Sequence, residues 1–155
     1  VAREEEIEAT RNIYDLGTYD GFQTIVESAA EQLATEVGRL TAEGRAVYGY
    51  GAAAKANTFL NFADVYPRAF IDDNPLKQGL LSPAGDVPVI GIDDLPDSDE
   101  EFVFLCTAWN FAQEIAGRIF HQRGHGRDEL LFYFPRFASF TVEEVLLRGS
   151  RLWQT

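Results

Sequence analysis

Three features of this 155-residue sequence predict an α/β fold, three layers built around a mostly parallel sheet. Short apolar runs at Ala46–Tyr48, Arg68–Ile71, Val87–Ile90, Glu101–Thr107 and Leu130–Pro135 are mostly separated by segments with helical periodicity, the rhythm of strand–crossover–strand units. The run Phe102-Val103-Phe104-Leu105-Cys106 is continuously apolar, as in a strand that a parallel sheet buries on both faces. Gly49, Gly51 and Ala54 fall in the order G-x-G-x-x-A between the first run and a helical pattern. About twenty residues later Phe70-Ile71-Asp72-Asp73 is a second strand ending in carboxylates, which is the layout of the nucleotide-binding half of a Rossmann-like sandwich.

Length and composition bound the rest. The chain is long enough for one domain with a real core. Apolar residues make up 46%, with twelve Phe and two Trp, so the composition is globular and not disordered. A formal charge of −12 argues against nucleic acid or an anionic membrane surface as partner, and no apolar run is long enough to cross a membrane. Cys106 is the single cysteine, inside an apolar run; it reads as a core residue of a protein in a reducing, cytoplasmic setting. His121 and His125 are separated by a helix-stopping Gly124 and lack further ligands nearby, so no metal is expected.

Taken in order, residues 3–13 are charged and read as a short helix. Phe22, Ile25, Val26, Ala29, Leu33, Val37 and Leu40 recur every three or four residues, a helix of about six turns with one buried stripe. Leu16-Gly17 and Asp20-Gly21 punctuate the chain ahead of it, and Gly44 stops it. The glycine turn leads into a helix from about Ala53 to Asp64. Asp72-Asp73-Asn74-Pro75 is dense in turn formers. Pro88 makes a central position unlikely for the strand around it, and Ile92–Pro96 reads as a single helical turn. After Trp109-Asn110 a helix buries Phe111, Ile115, Ile119 and Phe120. Leu130–Pro135 reads as the last strand, and Thr141 with Glu144 forms a capping box that starts a final helix through about Leu147.

Ligands of such sheets sit beyond the carboxyl ends of the strands. That rim collects Gly49 to Lys55, Asp72 to Gly79, Thr107 to Asn110, and Pro135-Arg136. Gly49 lets the turn close, Gly51 leaves room for a phosphate, and the helix N-terminus offers N–H groups to an anion. Lys55 lies in the first helical turn, where the dipole disfavours a cation, so its position hints at a neighbouring anion. Asp72 or Asp73 would accept from ribose hydroxyls or merely start the turn. Lys77 would pair with one of them or reach a phosphate. Trp109 would stack on a base or fill the corner between sheet and helix, and Asn110 would face the rim or cap the helix. No Ser–His–acid or Cys–His arrangement is readable, so no catalytic machinery is expected.

The stretches Tyr48-Gly49-Tyr50-Gly51-Ala52-Ala53-Ala54-Lys55-Ala56-Asn57-Thr58-Phe59-Leu60-Asn61, Asp72–Gly79, Pro88-Val89 and Ala108-Trp109-Asn110-Phe111 together resemble the C-terminal domain of the sugar C-methyltransferases. These enzymes depend on S-adenosylmethionine (SAM) and act on nucleotide-linked deoxyhexoses. The resemblance runs from about Tyr19 to Pro135. It implies a zinc-binding segment and a SAM-binding catalytic domain ahead of this unit, with the C-terminal unit holding the nucleotide part of the substrate. By it, Gly49, Gly51, Ala52, Lys55 and Asn57, then Asp72, Asn74 and Lys77, then Trp109 and Asn110 are the candidate substrate-binding positions. The chain departs from the family at Ala56, where glycine is usual, in the loop Leu81–Gly85, and in the wording of the final strand.

The expectation is therefore an N-terminal helical segment over residues 1–44, packed on a Rossmann-like nucleotide-sugar-binding domain over 45–155. The chain itself would bind no cofactor, SAM belonging to the catalytic domain, and would be inactive alone. Its partners would be a nucleoside-diphosphate sugar and the SAM-binding domain. An independent NAD- or nucleotide-binding module, or a non-catalytic interaction domain, is the alternative.

Overall fold

The computed structural model describes residues 2–153, the side chains of Ala2 and Thr18 excepted; Val1, Gln154 and Thr155, the outer ends of the two expected segments, lie outside the described residues. Two helices come first, α1 (Ala2–Thr10) and α2 (Gly17–Ala42). Strand β1 (Val47–Tyr50), helix α3 (Ala54–Ala63) and strands β2 (Phe70–Ile71), β3 (Val89–Ile90) and β4 (Val103–Cys106) follow. Helix α4 (Ala112–Arg123), strands β5 (Glu129–Phe132) and β6 (Ala138–Thr141), and helix α5 (Val142–Arg148) complete the order.

The strands form one six-stranded sheet in the order β3-β2-β1-β4-β5-β6. All neighbours are parallel except β6, which runs antiparallel to β5. This is an α/β, Rossmann-like three-layer sandwich with a mostly parallel sheet. Side chains alternate across it, as the strand period requires. Tyr48, Tyr50, Phe104, Cys106, Leu130 and Phe132 face α4 and α5, with Ile115, Ile119, Val142 and Val145. Val47, Phe70, Val103, Leu105 and Leu131 face α2 and α3, with Leu33, Leu40 and Leu60. The chain therefore leaves β1 toward one face of the sheet and β4 toward the other. Between those two strands the order reverses, and a crevice opens at their carboxyl ends.

Local chemistry explains most boundaries. Gly44 (φ +81°) ends α2, with Arg45 N–H donating to Leu40 O and Gly44 N–H to Thr41 O, a Schellman closure. Thr141 and Glu144 cap α5 reciprocally. Pro88 immediately precedes β3, so its missing N–H falls before the first pair of the β2–β3 ladder, while its carbonyl accepts from Phe70 N–H. Asp128 is fully buried, yet it accepts from Arg123 Nε at 3.0 Å and Phe102 N at 2.8 Å. Arg123 in turn donates to Ser98 O and Glu100 O, so the pair stitches α4 to the strand entrances with its polar atoms satisfied.

Four expectations are corrected. Leu16-Gly17 marks the start of α2, but Gly21 lies inside the helix and does not interrupt it. The apolar stripe of α2 is buried only from Ala30 onward; Phe22 and Ile25 are 64% and 68% exposed. The helix has 26 residues, about 39 Å at the helical rise, much longer than the strands it covers, so its first turns have no sheet beneath them. Phe111 and Phe120 are about half exposed, while Ala112 and Ala116 take the inward positions of α4 with Ile115 and Ile119. Finally, β5 is not the last strand: β6 pairs with it from Glu129↔Thr141 to Phe132↔Ala138.

Candidate functional site

The turn between β1 and α3 forms the floor of the site. Gly49 is buried in the sheet, where a Cβ would collide with the Phe70 ring and press on Pro67. Gly51 has φ +99°, and a Cβ there would lie 2.7 Å from Thr107 Oγ1. That hydroxyl is 2.5 and 2.6 Å from the carbonyl oxygens of Tyr50 and Gly51, its single proton serving the pair. Both glycines are therefore required by packing within the chain, and the space at Gly51 belongs to Thr107.

Asp72 is the organising side chain. It is buried, and its Oδ2 accepts from Ala52 N–H at 2.9 Å and from Lys77 Nζ at 2.8 Å. Oδ1 accepts from Asn74 N–H at 3.0 Å. Lys77 Nζ also donates to Ala52 O at 3.0 Å, and Gln78 Nε2 to Asp72 O. One carboxylate thus clamps the glycine turn to the loop after β2. Asn74 Oδ1 accepts from Leu76 N–H, which shapes the same loop from its exposed side.

Two open depressions flank the start of α3. The first is the crevice at the reversal of strand order, about 360 Å³, walled by Gly51, Asp72, Asp73, Lys77, Ala108, Phe111, Glu114, Ile115 and Arg118, with Tyr50 at its base. Arg118 is paired with Asp73 at 2.8 Å across it, and Tyr50 Oη lies 3.3 Å from the same carboxylate. Burial, then the charge of Asp73, pushes the Tyr50 hydroxyl well above its ordinary value, so it remains a proton donor at neutral pH. The second, about 630 Å³, lies on the outer flank of α3 and is lined by Ala52, Ala53, Ala54, Asn57, Thr58, Asn61, Lys77 and Pro83. Both volumes lie within the range of small-molecule sites.

Between them stands the N-terminus of α3. Its N-cap is Ala53, which offers no capping side chain, so the N–H groups of Ala54, Lys55 and Ala56 have no acceptor within the helix. Lys55 is exposed in that first turn.

The expected residues are thus distributed unevenly. Gly51, Ala52, Asn57, Asp72 and Lys77 come together around the two depressions, and Lys55 stands at the junction. Trp109 and Asn110 line neither depression. Trp109 packs on Phe134 and Trp153, with ring centroids 5.2 and 6.5 Å away, which fills the corner between sheet and helix. Asn110 is exposed and makes no capping bond to α4. Arg118 and Glu114 were not legible as site residues, because α4 carries them to the crevice from more than forty positions beyond the turn. The signal was present only as two opposite charges four residues apart, Glu114 and Arg118, on an amphipathic helix near a strand end.

Among the described residues no helix is long and apolar enough to cross a membrane. No match is found among the curated proteins. The family model of the C-methyltransferase C-terminal domain matches residues 1–135. That span contains the sheet through β5, both depressions and every residue of the turn, so this chain belongs to the C-methyltransferase C-terminal domain family.

Proposed function

We propose that the domain anchors the nucleoside-diphosphate part of a deoxysugar substrate while a SAM-binding methyltransferase domain performs the chemistry. The observation that carries this reading is the uncapped N-terminus of α3 at the reversal of strand order, with Lys55 in its first turn and a depression on either side. The orphan N–H groups and helix dipole favour an anion there. Phe111 and Ile115 offer the crevice an apolar wall for a base, and Asp73 and Glu114 offer acceptors for its N–H groups or for ribose hydroxyls.

Anchoring the nucleotide restricts the motion of the sugar carbon presented to SAM. Nothing in the two depressions supplies the paired nucleophile and base of a reacting centre, so the isolated, cytoplasmic chain would bind substrate without methylating it. The test is calorimetric titration against dTDP, UDP, GDP, NAD and SAM. Saturable binding of a nucleoside diphosphate, with SAM silent, is the expected result. Lys55→Ala should weaken that binding about tenfold while melting stays at the wild-type temperature. Binding of SAM or NAD in preference to every diphosphate would sink the reading.

A further inference from the structure

We infer that the diphosphate sits in the outer depression, between the first turn of α3 and the Ser82–Pro83 loop, held by the side-chain amide of Asn57, and not in the crevice. The identity of the ligand rests on the nucleotide-sugar reading above; the position of the anion rests on four observations of this chain.

First, the crevice is poorly suited to phosphate. Three carboxylates, Asp72, Asp73 and Glu114, line it against two cations, Lys77 and Arg118. Both cations are already paired, Lys77 with Asp72 and Arg118 with Asp73, each at 2.8 Å. Second, the turn N–H groups are spent. Ala52 N–H goes to Asp72 Oδ2 and Ala53 N–H to Gly51 O, each at 2.9 Å. The Asp72 carboxylate already takes the place that an incoming anion would have at the turn, with Lys77 as its counter-ion. The next donors along the chain are Ala54, Lys55 and Ala56, in the first turn of α3.

Third, no carboxylate lines the outer depression. On a chain of formal charge −12 that is an unusual stretch of surface. Fourth, Asn57 is only 8% exposed and lines this depression. Its Oδ1 accepts from the Ser82 hydroxyl at 2.9 Å, and Ser82 Oγ accepts from Ala84 N–H at 3.2 Å. That relay leaves the Asn57 Nδ2 protons with no acceptor among the described residues. The nitrogen is not sealed from solvent, unlike the partnerless buried atoms Arg45 Nη2 and His125 Nε2, so it opens to the depression, where an oxyanion would take a charge-assisted bond from it. One turn further on, Asn61 Nδ2 donates to Pro83 O at 3.2 Å, which holds the loop in place as the far wall.

The ligand chemistry is a phosphate or diphosphate group, either free or carried by a nucleotide. The experiment is a ¹⁵N–¹H correlation titration of the chain with inorganic pyrophosphate and, separately, with dTDP and UDP. The expected result is movement of the Asn57 side-chain signals and the Ala54–Ala56 amides with pyrophosphate, and the same set with the nucleotides. Asn57→Asp keeps the shape and still accepts from Ser82, and should weaken pyrophosphate at least tenfold. Thr58→Glu places a carboxylate in the same depression from an exposed position, so it gives the same readout without touching a buried group. Shifts confined to Ala108, Phe111 and Arg118 would overturn the placement and leave the nucleotide reading standing. Pyrophosphate at Asn57 without any nucleoside diphosphate would support the placement and remove the nucleotide reading. No shift with any probe at millimolar concentration would overturn it.

Discussion

Asp72→Ala separates a ligand-binding carboxylate from a structural one. In this chain the Asp72 oxygens meet three donors, Ala52 N–H at 2.9 Å, Asn74 N–H at 3.0 Å and Lys77 Nζ at 2.8 Å. The Lys77 side chain is 41% exposed and Asp72 11%, so water can take over much of the lysine's share; that bond contributes at most about 1 kcal/mol. The bond to Ala52 N–H is the important one. It is charge-assisted and holds a half-buried turn, and losing it together with the Asn74 bond should cost about 2–4 kcal/mol in total. For a chain of this size that corresponds to a fall in Tm of about 5–15 °C.

Asp72→Asn should lose nearly as much, because its amide nitrogen only donates and its single oxygen cannot serve donors that approach both Oδ1 and Oδ2. The assay is thermal unfolding by circular dichroism or calorimetry at neutral pH, without ligand. A residue whose main task is to accept from a ribose would behave oppositely, with melting unchanged and affinity lost. Melting of Asp72→Ala within about 2 °C of wild type would refute the clamp.

Two further predictions follow from burial. Leu33→Ala, at 0% exposure in the core beneath α2, should cost about 2–5 kcal/mol, whereas Phe22→Ser, two-thirds exposed on the same stripe, should stay within about 0.5 kcal/mol; urea denaturation of the two variants checks where the stripe leaves the core. Alkaline pH should destabilise the fold. Burial pushes the Cys106 thiol and the Tyr133 hydroxyl each up to about 12, and Tyr50 also upward. All three are neutral when protonated, so their contribution is complete below their unfolded values and declines as pH rises from about 9–10 toward the folded ones. The slope is at most about 1.4 kcal/mol per pH unit for each group. A lower urea midpoint at pH 10.5 than at pH 7 is expected, and equal midpoints would contradict it.

The parts of the fold legible in the sequence are those whose signal is local. The apolar run through Phe104 had to be a doubly buried strand, and β4 lies between β1 and β5 with layers on both faces. Thr141 and Glu144 announced their helix three residues apart. Strand β6 gave no comparable signal: Ala138–Thr141 is only half-buried, at a sheet edge, and carries little alternation. Phe22 and Ile25 had the right period, but a period reports a common helix face and not whether anything lies against it. Phe111 and Phe120 show the same limit at the two ends of α4, where small Ala112 and Ala116 sit closest to the sheet.

For the candidate site, the division is between residue types and their partners. The sequence by itself determined the α/β class, the glycine turn at Gly49–Gly51, a helix starting near Ala53, and the carboxylates at the end of β2, because turn geometry and helix ends depend on neighbouring residues. Only the tertiary structure decided which of those groups remain free. Asp72 meets Ala52 across 20 positions, and Ser82 meets Asn57 across 25. Hydrogen bonds at such separations form only once the sheet has fixed which chain ends lie side by side. That is why the bonds of Asp72 to its own turn, and the Asn57 Nδ2 left open beside Ser82, could not be read from the residues around them.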